Sequence, residues 1–242
     1  MVPRRAVGTP TTGIRTGAGG RTTRSYAAEP ESMTTRITWR DLLRRLRWDL
    51  LDRSERFYYG YWLIWQIPGL FGNMLRARYL ARRMKAAGAN LQVMAGCRFR
   101  SIENLEVGDN VNIGYDNFLQ ARGGLKIGNN VSTAPGVKIW TVNHNYDDPD
   151  ADVMEQGQTD KPVTIGDNVF IASNAFILPG TTLPEGCIVC AGAVVGGKPY
   201  RPYSILAGNP ARVIGYRGGR APGHTPDEDA DKSVSAAVSA SG

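Results

Sequence analysis

Apolar residues in the second half of the chain recur every sixth position, a spacing that fits neither the 3.6-residue period of a helix nor the alternation of an ordinary strand. The clearest run is Ile165, Ile171, Ile177, Leu183, Val189 and Val195, and the residue four places after each of the first five is small or apolar: Val169, Ala175, Thr181, Cys187 and Ala193. The same frame runs upstream from Val107 through Ile113 to Leu119 and, after a small insertion, from Ile127 through Thr133 to Ile139. Side chains alternate along a strand, so the first and fifth members of a short strand share one face. Pairs of the Gly-Asp and Asn-Asn type between the runs turn corners, because Gly and Asn adopt the required backbone angles at low cost. Three strands and three corners make a coil of about 18 residues, and a stack of coils buries what one coil cannot. The pattern predicts an all-β core, a parallel β-helix of hexapeptide repeats. Patterning leaves its hand open.

The period changes to a helical one between about Trp39 and Lys85. Leu42, Leu43, Leu46 and Leu50 recur at three- and four-residue steps among Arg44, Arg45, Arg47 and Asp49, as in an amphipathic helix. An aromatic-rich run, Phe57 to Phe71, is interrupted by Pro68 and Gly69 and is too short to span a bilayer. A basic helix is expected from Met74 to Ala87. Two readings stand for this segment: a cap over the open end of the β-helix, or a peripheral membrane contact through residues 40–87, with Trp62, Trp65 and the tyrosines at headgroup depth. Four regions result: a disordered leader, 1–36; the helical segment, 37–89; the β-helix domain, 90–217; and a disordered tail, 218–242, in which His224 is idle. Met33 is an alternative start.

Charge sharpens this division. Residues 1–100 carry 19 Lys and Arg against 6 Asp and Glu, whereas the remainder carries 10 against 16. A basic arm suits an anionic membrane or a nucleic acid, but no nucleic-acid motif accompanies the charge, so no nucleic-acid partner is expected. Three cysteines, Cys97, Cys187 and Cys190, are an odd number in a chain long enough to build its own core, which argues against a disulfide framework. Residues 1–32 lack the apolar core of a secretory signal. A cytoplasmic location follows, at the inner face of the membrane if the helical segment binds lipid. Cys187 falls on an inward fifth position and Cys190 on an outward second one, so the pair is read as structural.

The frame breaks once in the middle. Ile139 and Ile165 are 26 positions apart, eight more than a coil of 18, so a loop leaves the wall there, with His144 at its start. A lone histidine is more often a structural hydrogen-bonder than a catalyst. This one, however, is the sole histidine of the β-helix domain and stands where the scaffold is interrupted, and loops on rigid scaffolds carry function.

Three segments carry a resemblance: Thr141-Val142-Asn143-His144, Lys161-Pro162-Val163-Thr164-Ile165-Gly166-Asp167-Asn168-Val169-Phe170-Ile171, and Ala207-Gly208-Asn209-Pro210-Ala211-Arg212-Val213-Ile214. Over about residues 90–217 the chain resembles the hexapeptide-repeat acyltransferases, in particular the branch of galactoside, maltose and colanic acid O-acetyltransferases. The resemblance implies a left-handed β-helix, a homotrimer with sites between neighbouring copies, and acetyl-CoA as donor. It places the catalytic histidine at His144. Ser173 and Ala191 match positions that contact the pantetheine arm through the backbone, and Lys198 and Arg212 match basic positions near the coenzyme phosphates. The segment Gly197-Lys198-Pro199-Tyr200-Arg201-Pro202 is about a residue longer than usual, so Lys198 and Arg201 are hard to tell apart. Phe170 stands where relatives often carry Trp. Asn117, Gln120, Asn143 and Phe170 are the expected acceptor-facing residues.

The chemistry implied is transfer of an acetyl group from a thioester to a hydroxyl. A neutral imidazole takes the hydroxyl proton as the oxygen attacks the thioester carbonyl, the thiolate leaves unaided, and a backbone N–H, at Ser173 by the resemblance, serves the oxyanion. No Ser or Cys nucleophile elbow is present, which favours direct transfer. The acceptor expected is a saccharide, a surface polysaccharide or its precursor. The alternatives are an amino sugar or antibiotic acetylated on nitrogen, and a β-helical scaffold held at the membrane without activity. No metal is expected: a zinc enzyme on this fold would need about three histidine ligands, and the β-helix domain has one.

Overall fold

The computed structural model describes residues 37–219, with only the backbone at Arg53 and Ser54. The expected leader, with Met33, and the tail from residue 220, with His224, lie outside the described residues. The chain divides into two compact units between Leu50 and Leu51. The described part of the first is almost wholly α1, Trp39–Leu51. A reciprocal cap starts it: the Thr38 hydroxyl and amide donate to Asp41 Oδ2 at 2.7 and 3.2 Å, and the Asp41 amide donates back to Thr38 Oγ1 at 3.3 Å. No residue of α1 is buried.

The second unit opens with α2, Arg53–Ile64, and α3, Gly69–Ala81, separated at Pro68, which occupies the N-cap of α3. Helix α3 is therefore earlier and shorter than the basic helix expected over 74–87, and Ala86–Ala87 already forms a strand paired with Glu106 and Val107. Parallel strands then wind through three faces. Face A stacks Ala86–Ala87, Leu105–Val107, Leu125–Ile127, Val163–Ile165 and Thr182–Leu183; face C stacks Arg98–Arg100, Phe118–Gln120, Lys138–Trp140, Phe176–Ile177 and Val194–Val195. Face B stacks Gln92–Val93, Asn112–Ile113, Ser132–Thr133, Phe170–Ile171, Ile188–Val189 and Ser204–Ala207, and Arg212–Tyr216 closes it antiparallel.

The first and fifth positions do what the pattern requires. Ile165, Val169, Ile171, Ala175, Ile177, Thr181, Leu183, Cys187, Val189, Ala193 and Val195 are all at most 1% exposed. Each fully buried Val, Leu or Ile contributes roughly 1.5–3 kcal/mol of apolar transfer free energy. Cys190 stays partly exposed, as an outward second position should. The corner between faces A and B is held by Asn90, Asn110, Asn130 and Asn168, all left-handed with φ of 54–57°. Asn90 Nδ2 donates to Asn110 Oδ1 at 2.9 Å and Asn110 Nδ2 to Asn130 Oδ1 at 3.1 Å, so these side chains form a ladder of their own.

The register corrects one count. Ile139 stacks on Ile177, and Ile127 on Ile165, so the interrupted coil is 38 residues long and its excess over 18 is 20 residues, not eight. The eight-residue figure took Ile139 and Ile165 for stacked neighbours, whereas they lie on faces C and A. The two coils before it are 20 residues long, as in Phe99 to Leu119 to Ile139, and the one after it is 18, Ile177 to Val195. Face-to-face contact thus covers every coil, and all the added length projects outward.

The first coil is covered by α2 and α3. Leu80, Ala77, Phe57 and Tyr61 join Val93, Cys97 and Phe99 in one apolar core, and the Tyr61 hydroxyl donates to the Cys97 carbonyl at 3.0 Å. Burial pushes the Cys97 thiol up to about 12. Arg76 is fully buried. Its guanidinium donates to the carbonyls of Val93 (3.0 Å) and Ile67 (2.7 Å), more loosely to those of Ile64 and Trp65, and to Asn73 Oδ1 (2.7 Å). It ties the carbonyls at the end of α2 and beyond to the first coil, which is how a charge tolerates this depth.

Candidate active site

The excess of the long coil forms an arm. Val142–His144 pairs antiparallel with Gln158–Asp160, setting His144 opposite Gln158. The arm's root is locked to the wall. Thr141 is fully buried: its hydroxyl donates to Gln120 at 2.9 Å and accepts from the Gly123 amide at 2.9 Å, while its carbonyl accepts from the Lys161 amide at 2.8 Å. Polar groups hold the tip. Gln156 accepts from the Asp148 amide and donates to the carbonyls of Asp148 and Ala151, and the Thr159 hydroxyl donates to Asn145 Oδ1.

His144 is half-buried on this arm. Its Nε2 lies 2.8 Å from Gln158 Nε2, and its Nδ1 is buried without a hydrogen-bond partner among the described residues. Gln158 is held in turn: Arg122, from the preceding coil, donates through Nη1 to Gln158 Oε1 and sits 3.2 Å through Nε from Asp160 Oδ1. Sequence reading missed both Arg122 and Gln158. They are 36 residues apart and meet because the arm folds back over the coil beneath it.

The other expected residues divide by place. Asn143 is exposed on the arm, and Phe170 is 41% exposed on the outer side of face B. Asn117 and Gln120 are turned into the fold and not toward an acceptor. Asn117 is a fifth position, fully buried, and its Nδ2 donates to the carbonyls of Gly114, Tyr115 and Ala134. Gln120 is 8% exposed and braces Thr141. Its frame position alone could have excluded Asn117. An unforeseen row of aromatic rings crosses the outside of face C beside the arm's root: Phe118, Trp140 and Phe176, edge to face at 5.9 and 5.7 Å.

Ser173 and Ala191 stand one above the other at the corner between faces B and C, joined by the Gly192 amide donating to the Ser173 carbonyl at 2.9 Å. Ala191 is exposed, and a side chain added at Gly192 would meet nothing within 4 Å, so this ridge has room beside it for an extended ligand. Arg212, exposed, pairs in register with Ala207 just below on the same face, and its charge pulls the Tyr200 phenol down against the stronger upward push of burial. Lys198 follows the last strand of face C and so belongs to the next corner, between C and A. That is also the corner from which the arm leaves, whereas Ser173 and Ala191 lie one corner back.

Comparison with known proteins agrees with this architecture. The family model for the bacterial transferase hexapeptide (six repeats) matches residues 162–197. A probable acetyltransferase of Mycobacterium tuberculosis is 27% identical over 195 residues, 72% of this chain and 63% of that protein. The galactoside O-acetyltransferase of Escherichia coli is 29% identical over 140 residues, 57% of this chain and 67% of that one. The chain spans 42% to 67% of the length of the first four curated relatives it matches. Among solved structures, a maltose O-acetyltransferase from Clostridium difficile 630 superposes with a TM-score of 0.59 at 28% identity, covering 69% of this chain and 90% of that one. The stacked coils form a left-handed parallel β-helix of hexapeptide repeats, and these likenesses support the hexapeptide-repeat acetyltransferase family.

Proposed function

We propose that the protein transfers an acetyl group from acetyl-CoA to a hydroxyl of a saccharide, a surface polysaccharide or its precursor, with His144 as general base. The observation that carries this reading is the placement of the chain's one described histidine on an arm locked at Thr141 and Gln158, beside a wall whose B/C corner offers an open ridge. Ser173 and Ala191 would hold the pantetheine arm along that ridge, and Arg212 the phosphate end, a role guanidinium geometry suits. Asn143 and Phe170 remain as acceptor contacts, and the exposed ring of Trp140 adds an aromatic surface at the arm's root. The base and the donor ridge occupy different corners of one chain, so a site that uses both is completed by a neighbouring copy, in keeping with a homotrimer. Purified protein with acetyl-CoA and a panel of sugars should release free thiol with at least one hydroxyl acceptor. Release with amino sugars alone would move the chemistry to nitrogen, and release with no acceptor would defeat the reading.

Among the described residues no helix is long and apolar enough to cross a membrane. A cytoplasmic protein resting on the inner leaflet accounts for the surface of α2 and α3. Trp62, Leu63, Leu70, Phe71 and Met74 are 68–77% exposed around the turn between these helices. The segment from 57 to 75 carries no charge, and Arg78 and Arg82 stand exposed just beyond it. An uncharged aromatic tip with a cationic rim fits an anionic lipid surface. Vesicles containing an anionic phospholipid should float the full chain, and the double variant Leu70→Asp, Phe71→Asp should stay behind. Equal flotation of both, or of neither, would contradict the contact.

A further inference from the structure

We propose that Gln158, held by Arg122, is a positioning residue that fixes the ring proton of His144 on Nδ1 and presents Nε2 as the basic nitrogen. A guanidinium has only donors, so the Gln158 atom facing Arg122 is the carbonyl oxygen, Oε1. The amide group left to face His144 Nε2, at 2.8 Å, is then the NH2, which can only donate. Nε2 must accept, and a neutral imidazole that accepts at Nε2 carries its hydrogen on Nδ1. Asp160, the carboxylate beside Arg122, steadies the guanidinium that sets this polarity.

The arrangement ranks the two ring nitrogens for chemistry. Nδ1 is buried without a partner, whereas Nε2 meets an exposed glutamine that an acceptor hydroxyl can replace in kind, O–H for N–H. Gln158 thus holds the place of the acceptor and keeps the lone pair aimed outward until the acceptor arrives. The effect on turnover rests on the acyl-transfer reading of this site; the position of the ring proton does not.

Nitrogen-15 NMR of the full chain tests both parts, because it contains only two histidines and His224→Asn leaves His144 alone. At alkaline pH the neutral ring should show a pyrrole-like Nδ1 and a pyridine-like Nε2. A pyrrole-like Nε2 would overturn the proposal whatever the enzyme's activity. Gln158→Glu keeps the shape but turns the donor into an acceptor, so it should invert the tautomer and lower kcat about tenfold or more with little change in the KM for acetyl-CoA, while Arg122→Lys, which retains a donor, should keep the tautomer. An unchanged tautomer in Gln158→Glu would show that the amide does not set it. An inverted tautomer with unchanged kcat would leave the proton assignment standing and remove Nε2 from the chemistry.

Discussion

Two corners of the same triangular coil have opposite characters. The corner between faces B and C turns in four residues on every coil from Met94–Cys97 to Cys190–Ala193, with a left-handed residue always third: Gly96, Asp116, Gly136, Asn174 and Gly192. The corner between faces C and A keeps one length on the first two coils and then changes it. It carries a short 3-10 turn at Ile102–Asn104, the Ala121–Gly124 turn on the next coil and the 20-residue excess on the third. The strands on both sides of the long corner stay paired with their neighbours, Ile139 on Ile177 and Ile165 on Ile127, so the insertion there leaves the core undisturbed. The regular corner is suited to an extended ligand lying along the stack. The irregular one is where a single coil can add a histidine without disturbing its neighbours.

Several measurements would sharpen or break that contrast. The largest effect is expected from the arm itself: replacing residues 145–157 with a two-glycine turn should abolish acetyl transfer, at least about a hundredfold, while thermal melting shifts by only a few degrees. A collapse of stability would mean that the arm belongs to the core. At the regular corner, Ala191→Trp should fill the open ridge and weaken coenzyme A binding about tenfold or more by calorimetry, with the fold intact. Unchanged binding would put the donor elsewhere.

A glycine pair separates the corners by stability alone. Gly136, at the B/C corner, and Gly157, in the arm, have nearly equal φ of 76° and 75°. A methyl at Gly136 would sit 2.3 Å from Asn174 Oδ1, whereas at Gly157 the nearest atom is 4.0 Å away. Both alanine variants should lose about 1–2 kcal/mol to the left-handed backbone, and Gly136→Ala should lose more in chemical denaturation. Equal losses would show that stacking at the regular corner has slack. The smallest effect is a difference in thiol labelling. Burial raises the Cys97 and Cys187 thiols, leaving little thiolate at neutral pH, so native protein should present Cys190 first and the other two only on unfolding. Rapid labelling of Cys187 would reveal opening of the last coils.

The wall was legible because a six-residue frame states directly which side chains face in, and every first and fifth position from Ile165 to Val195 obeys it. The place of His144 was legible for the same reason, as a break in the frame. Which isoleucine stacks on which was not, because Ile127, Ile139, Ile165 and Ile177 are chemically alike and only the register tells Ile139–Ile177 from Ile139–Ile165. The grip of Arg122 on Gln158, and the burial of Arg76 under carbonyl oxygens, depend on contacts between segments whose spacing carries no period. The inward turn of Asn117 was readable from its fifth position, but the resemblance alone set it facing the acceptor.

In the proposed division of labour the irregular corner supplies the base and the regular corner the donor site. His144→Ala tests it most directly, with acetyl-CoA turnover and coenzyme A affinity measured on the same preparation. Turnover should fall by at least about a hundredfold with affinity unchanged. Undiminished turnover, or a loss that only follows a loss of coenzyme binding, would contradict it.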